Sequence, residues 1–442
     1  MSAAFINIKF NPPATEQCAI NSRSLSLNQE KSWWNQESGA EVISGPLLLG
    51  QLEKTIFTQS PPAPAQLQSV SDLTRELWSH FNTDRSMLDR DYMSDEKMLN
   101  AYLASFFLPN IERTRAVASR PRVLDALRDI AKLDSINIID FGAGPLSASI
   151  GFLFAINQFR TLNSPRHSPA MRVHITAVER SERAVRKGES LLKSSLTGNI
   201  QVEVARTTSI PKDGKFQVIL AANIFNEIPE KHRQKTFESL MSTLDSASAN
   251  LALVIEPGQE QHSRNLAGMR DNILTQSVFR GLRVIAPCPH QSPCPLSSAA
   301  NRNDWCWFKT FFKRPPLLLE IDRRSRIEHS ELAFSFLAVS SSLRNSNKIP
   351  WGVCVSDEMP VGEESDKPKR LNYFRNNLLK SLESPPIQVL ENLAAMGVKT
   401  KICGPSGAYL AGLRVKTQES RPFERGQELD SADPFAAVIS ER

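Results

Sequence analysis

The sequence lacks any apolar run that approaches the length of a membrane span, so a helical transmembrane protein is excluded. Cysteine is scarce, six in 442 residues, and five of the six lie after residue 280. So sparse and lopsided a set excludes a disulfide framework and points to a local site in a reducing compartment. The amino terminus, M-S-A-A-F-I-N-I-K-F, has neither the charged-then-apolar pattern of a secretion signal nor the Arg-rich amphipathic character of a presequence. The expected location is cytoplasmic, with an organelle as the alternative. Strong charge imbalance is also missing: a net charge of +6 permits a nucleic-acid partner without demanding one.

What is there is an ordinary globular composition, 40% hydrophobic and 23% charged, on a chain long enough for about two to three domains. Residues 1–65 are polar, rich in Ser, Gln and Asn, end near S-P-P-A-P-A, and read as a disordered or loosely packed arm. Residues 66–134 change to helical spacing: Val70, Leu73, Leu77 and Phe81 recur at three and four residues, and Met98, Tyr102 and Phe106 do so again. Pro109 and Pro121 punctuate two further helices of this helical domain. Its arginines Arg113, Arg115, Arg120 and Arg122 form either a phosphate-facing surface or a solvated helix face.

Residues 135–287 read as an α/β domain. The β-branched run I-N-I-I-D-F ends in Asp140 and the glycine turn G-A-G-P, and a helix follows from Ser147 to about Phe159. R-V-H-I-T-A-V-E gives a second strand ending in Glu179, with a helix over Ser181–Leu192. Further strands are expected at 201–205, 216–223 and 250–256, with a helix over about 230–244. That rhythm predicts a doubly wound, Rossmann-like parallel sheet. Gly142 and Gly144 let a ligand approach the backbone closely. Glu179 stands where it can accept both protons of a ribose diol. A dinucleotide fold would place another glycine near Ser147, and no G-x-G-x-x-G is present. The pattern favours S-adenosylmethionine over NAD.

Residues 288–418 form a cysteine-bearing, β-rich region, and 419–442 a polar tail. Cys288 and Cys294 have five residues between them, each cysteine is followed by Pro, and Cys306 follows between Trp305 and Trp307. Thiolates are soft ligands and costly to bury alone, so clustered cysteines commonly share a cation. A fourth ligand would come from His290, Cys354 or Cys403, and the spacing leaves zinc and an iron–sulfur cluster both open. Next, W-C-W-F-K-T-F-F-K-R-P-P interleaves aromatics with Lys309, Lys313 and Arg314. Either it stacks on bases and pairs with phosphates, or it is a strand packed on the cysteine loop.

D-F-G-A-G-P at 140–145, N-E-I at 226–228, E-P-G at 256–258, A-P-C-P-H-x-x-x-C-P-L at 286–296, D-W-C-W-F at 304–308, F-S-F-L at 334–337 and C-G-P-S-G at 403–407 together resemble one family. It is the methyltransferase-like small-ribosomal-subunit assembly proteins of mitochondria and their bacterial relatives, and the likeness covers about residues 70–418. The resemblance implies a Rossmann-like S-adenosylmethionine methyltransferase fold that binds small-subunit rRNA in ribosome assembly or translation, or an active rRNA methyltransferase. It brings in the mitochondrial matrix as the alternative location. It also implies a 4Fe-4S cluster on Cys288, Cys294, Cys306 and Cys403, with zinc as the alternative. Asp140, Gly142, Ala143, Gly144, Pro145, Glu179 and Asn223 would then hold the cofactor, with Asn226 and Glu227 beside the acceptor. Family members commonly continue the loop as G-P-G. Here Leu146 follows Pro145, and its bulk is expected to crowd the methionine end of the cofactor. No N-P-P-Y or D-P-P-Y motif and no setting for a cysteine nucleophile is present, so no catalytic residue is assigned.

Overall fold

The structure, a computed structural model, describes residues 44–83, 91–163, 170–196, 200–297 and 305–341, with the side chains of 157–163 excepted. It also describes the backbone of short strands between 352 and 440. Five strands follow one another, with a helix between each pair except β3 and β4: β1 Ser135–Phe141, β2 Met171–Val178, β3 Ile200–Thr207, β4 Val218–Ala222 and β5 Leu251–Pro257. They pair in parallel in the order β3-β2-β1-β4-β5. β1, β4 and β5 are apolar through their centres because both faces are covered by helices, as a parallel sheet requires.

Three more strands close the sheet: β6 Arg283–Ala286, β7 Phe308–Phe311 and β8 Glu331–Ser340. β8 runs antiparallel to β5, and β6 and β7 pair with opposite halves of its far edge. Phe334 stands opposite Pro257, so the amino end of β8 lies beside the carboxyl end of β5. A reversed strand inserted between the fifth and sixth is the arrangement of the Rossmann-like S-adenosylmethionine methyltransferase fold.

Helices α6 Ser147–Asn163, α7 Glu182–Ser195, α8 Glu230–Met241 and α9 Glu260–Thr275 connect the strands. One face of the sheet, with Ile139, Ile219 and Val254, packs on Phe237 and Leu240 of α8 and Leu266 and Met269 of α9. The other face joins Ile138, Leu220 and Leu253 to α6, α7 and the amino-terminal helices in one continuous core. Those are α1 Gly45–Ile56, α2 Pro64–Asn82, α3 Glu96–Ser105, α4 Phe107–Ala118 and α5 Pro121–Ile130. They are therefore a layer of the same core, not the separate helical domain expected from periodicity. The arm also ends sooner than expected: α1 starts at residue 45, its Ser44 side chain accepts from Leu47 N, and Leu48 and Leu52 are buried.

The expected β-rich carboxyl-terminal region contains a second sheet, described by its backbone. β9 Gly352–Cys354, β11 Gly397–Cys403, β12 Tyr409–Val415, β13 Glu428–Leu429 and β14 Ala437–Ser440 pair antiparallel in the order β13-β9-β11-β12-β14. The two-residue β10 Met359–Pro360 joins β11. Cys403 closes β11 opposite Tyr409 and Val353, and Cys354 stands opposite Ile402. The side chains of Cys403 and Cys354 lie outside the described residues. No helix among the described residues is long and apolar enough to cross a membrane.

Candidate functional site

The carboxyl ends of β1, β4 and β5 and the amino end of β8 open on the same side of the sheet. Above them, α2, α3 and α4 leave a cavity of about 840 Å³. That volume is within the range of small-molecule sites. Its floor is the glycine loop, one flank is Glu179, and the opposite flank carries Trp305, Trp307 and His329.

Backbone conformation makes the floor. Gly142, Gly144 and Leu146 take φ of 71°, 49° and 62°, alternating with ordinary residues, and this folds the chain tightly over the end of β1. At Gly142 a Cβ would also meet Ile224 Cγ1 at 2.5 Å, so glycine is required twice over. Gly144 N donates to Glu179 Oε2 and Ser181 N to Glu179 Oε1, each at 2.9 Å. Glu179 thus braces the loop. A carboxylate offers about four acceptor positions, so it retains capacity for a diol on the cavity side.

Two of the residues expected to hold the cofactor are off the wall. Asp140 is 1% exposed beneath the loop, where its Oδ2 accepts from Ser149 N at 3.2 Å and Ser149 Oγ at 2.6 Å. Burial pushes its carboxyl up to about 7. Pro145 turns toward α7, its carbonyl lying against Gly188. Gly142, Ala143, Gly144, Glu179 and Asn223 all border the cavity. Leu146 does not crowd it: its side chain is fully buried in the core, away from the wall. Its left-handed backbone costs roughly 1–2 kcal/mol, and burying a Leu side chain, worth roughly 1.5–3 kcal/mol, offsets that.

Asn223 also takes a positive φ, 56°, at the end of β4. Its Nδ2 donates at 3.1 Å to Asn110 Oδ1, which Arg113 also reaches at 2.7 Å, and Asn110 Nδ2 donates at 2.9 Å to the Tyr102 hydroxyl. This chain ties the helical roof to the sheet. Burial lowers the Arg113 guanidinium to about 10 and raises the Tyr102 phenol to about 12, so at neutral pH the first is charged and the second neutral. The N-E-I turn is held from below by Glu256, whose carboxylate accepts from Ile224 N, Phe225 N and Asn226 N at 3.2, 2.9 and 2.9 Å. Burial nevertheless pushes that carboxyl up to about 8. Asn226 and Glu227 are presented at the wall as a result.

The cysteine block adjoins the cavity through its tryptophans. Trp305 Nε1 donates to Gly258 O at 2.9 Å, fixing the flank to the E-P-G turn. Cys294 and Cys306 both pack on Leu296, and Cys294 N donates to Asp271 Oδ1 at 3.1 Å. Arg270 donates to the carbonyls of His290 and Ser292, and Arg122 donates to Cys288 O at 3.1 Å. Burial pushes the Cys288 thiol up to about 11, with Arg270 pulling it down. Among the described residues, no three His, Cys, Asp or Glu side chains are placed to share one metal ion.

The arginines expected on a helix face turn inward instead. Arg113 borders the cavity, Arg115 pairs with Glu112 at 3.0 Å, Arg120 lies 5.6 Å over the Phe308 ring, and Arg122 reaches the cysteine loop. In the basic run after Trp307, Lys309 pairs with Glu331, Arg314 with Asp322 and Glu328, and Arg323 and Arg324 with Glu320. Its positive charge is largely matched locally. Phe308 is buried in the core and Phe311 exposed, so this is a strand packed on the sheet with one aromatic outside.

A family model described as mitochondrial small ribosomal subunit Rsm22 matches residues 116–357. No curated protein matches. Among solved structures, a magnesium protoporphyrin IX methyltransferase from Synechocystis PCC 6803 with bound SAM is 11% identical, covering 61% of this chain and 98% of that one at a TM-score of 0.30. The PKMT2 protein of Rickettsia typhi in complex with AdoHcy is 12% identical, covering 56% of this chain and 58% of that one at a TM-score of 0.26. At such low similarity the fold rests on this chain's own strand order. The family match takes in more than half the chain, from the glycine loop through the cysteine block to β8, and the protein belongs to the family of mitochondrial small ribosomal subunit Rsm22.

Proposed function

We propose that this chain binds S-adenosylmethionine in the cavity at the carboxyl ends of β1, β4 and β5, and works on the rRNA of the small ribosomal subunit. The observation that carries the first half is the loop itself: two glycines at positive φ, locked by the Glu179 carboxylate, border a cavity of cofactor size. Glu179 takes the ribose hydroxyls, the loop backbone meets the amino-acid moiety, and Asn223 and the N-E-I turn border the reacting end. The family's name supports the partner, and favours the mitochondrial matrix over the cytoplasm expected first.

The second component of the reading is a 4Fe-4S cluster on Cys288, Cys294, Cys306 and Cys403, with zinc as the alternative. Support comes from the donor chemistry: three thiols on one loop system, with the Arg270 guanidinium beside Cys288 to offset anionic charge. When bound, such a cluster supplies a rigid cross-link between the cysteine loop and β11. Arg270, Asp271 and Arg122 orient the loop by bonding its backbone.

The test is paired: equilibrium dialysis of S-adenosylmethionine against the anaerobically purified protein, and co-sedimentation with immature small subunits. Saturable one-to-one binding together with co-sedimentation supports the reading. Absence of saturable binding refutes the cofactor half, and failure to co-sediment refutes the partner half.

A further inference from the structure

His329 lies on the flank of the cavity. It is 6% exposed, and its Nδ1 lies 2.7 Å from Asp322 Oδ1. Asp322, 3% exposed, is itself held: its Oδ2 accepts from Arg314 at 3.0 Å and from the backbone N of His329 at 3.3 Å. With both of those donors on Oδ2, Oδ1 is left as an acceptor. It therefore takes the proton of Nδ1, and Nε2 is left as the acceptor nitrogen. Phe106 meets the imidazole edge to face, ring centroids 5.8 Å apart, and fixes its plane. Among the described residues no hydrogen-bond partner occupies Nε2, and the residue borders the cavity. A buried carboxylate, an oriented imidazole and a free nitrogen facing a cavity are the parts of a general base.

The local fold makes this pair. α10, Pro316–Ser325, ends at Arg326, which takes φ of 60° and turns the chain back, with Ile327 N donating to Asp322 O. That reversal brings residue 329 beside residue 322. The chain then enters β8, so His329 stands beyond the carboxyl end of β5, on the half of the sheet away from β2 and β3. The glycine loop and Glu179 take the other half. Cofactor and base thus fall on opposite flanks of one cavity.

We infer that His329 is the general base for methyl transfer to a hydroxyl acceptor, of the class of a ribose hydroxyl in RNA, with Asp322 as its positioning residue. This inference rests on the S-adenosylmethionine reading above. In the step, an acceptor oxygen lone pair forms a bond to the methyl carbon as the carbon–sulfur bond breaks and its electron pair returns to sulfur. S-adenosylhomocysteine leaves, and the hydroxyl proton passes to His329 Nε2. A hydroxyl is a poor nucleophile until its proton is taken, which is the work an oriented imidazole does. Trp305 and Trp307 on the same flank offer faces on which a base can stack.

The experiment uses the full chain with immature small subunits and methyl-labelled S-adenosylmethionine, alongside dialysis of the cofactor. H329Q cannot take a proton. It should bind cofactor within about twofold of wild type and lose about 10²–10⁴ in transfer rate. D322N should bind equally and lose rate as well. The pH profile of transfer by H329Q should differ from that of the wild type. Arg314 bridges Asp322 and Glu328, and E328Q should keep the wild-type profile. Transfer by H329Q at the wild-type rate and with the wild-type pH profile would overturn the inference. So would a wild-type protein that binds cofactor and labels no hydroxyl, which leaves the binding reading intact. A wild-type protein that binds no cofactor overturns both.

Discussion

Replacing Gly142 by Ala tests whether the floor of the cavity is built as described. Two costs apply. Its φ of 71° disfavours any L side chain by roughly 1–2 kcal/mol. Its Cβ would also stand 2.5 Å from Ile224 Cγ1 and 2.7 Å from Ile224 Cβ, and overpacking of that kind costs roughly 1–3 kcal/mol. Together they give roughly 2–5 kcal/mol. Gly144→Ala meets only the first cost, because its nearest neighbour, Met93 Cε, is 3.6 Å away, an ordinary contact. Thermal unfolding should therefore show G142A losing about twice the Tm of G144A or more, at ~2–4 °C per kcal/mol for larger domains. A double-mutant cycle of G142A with Ile224→Ala should give a favourable coupling of about 0.5–3 kcal/mol, since shortening Ile224 relieves part of the clash. Cofactor dialysis should follow the same order. G144A as damaging as G142A, or no coupling to Ile224, would refute the argument that close approach sets this loop.

The remaining predictions concern pH, the cysteine block and its tryptophan. Burial raises Asp140 to about 7 and Glu256 to about 8, so in the folded chain each holds a proton that the unfolded chain has released. Their contribution is fully present below the unfolded values and is lost as pH rises through the folded ones, by about 1.4 kcal/mol per pH unit per group. Urea melts of E256Q against wild type should show the Glu256 share of that slope removed between its ordinary 4.5 and about 8; an unchanged slope would count against it. Cys294→Ser, purified anaerobically, should lose the visible absorbance and the iron and sulfide of the proposed cluster, and metal analysis that finds the same content in the variant would contradict the ligand set. Trp305→Phe removes the Nε1–H bond to Gly258 O and should cost roughly 0.5–1.5 kcal/mol in a denaturant melt.

Much of the sheet was legible because a parallel strand buried on both faces is a nearly continuous apolar run. I-N-I-I-D-F, F-Q-V-I-L-A-A and N-L-A-L-V-I-E each became a strand where the pattern put it. The glycine loop and Glu179 were legible because left-handed backbone and an acid after the second strand leave marks in residue type. Leu146 misled for the same reason: it takes a glycine's conformation with its side chain turned to the core, and only the fold shows which way it points. The arginines of 113–122 misled too, since charge suggests water, whereas Arg113 reaches the cavity, Arg115 the Glu112 carboxylate, Arg120 an aromatic ring and Arg122 a loop carbonyl. His329 left no mark at all. A single histidine in R-S-R-I-E-H-S acquires its partner through the reversal at Arg326, and the cavity behind it is assembled from β1, β4, β5, β8 and the helical layer.

The central claim is that the cavity over the glycine loop takes S-adenosylmethionine, and direct binding tests it without reference to any acceptor. Isothermal titration of the anaerobically purified chain with S-adenosylhomocysteine, the stable product, is the measurement to make. One site per chain, weakened strongly by G142A and by Glu179→Ala and little by Asp140→Asn, is the result this account predicts. No saturable heat with the wild-type chain, or binding indifferent to G142A and Glu179→Ala, would contradict it.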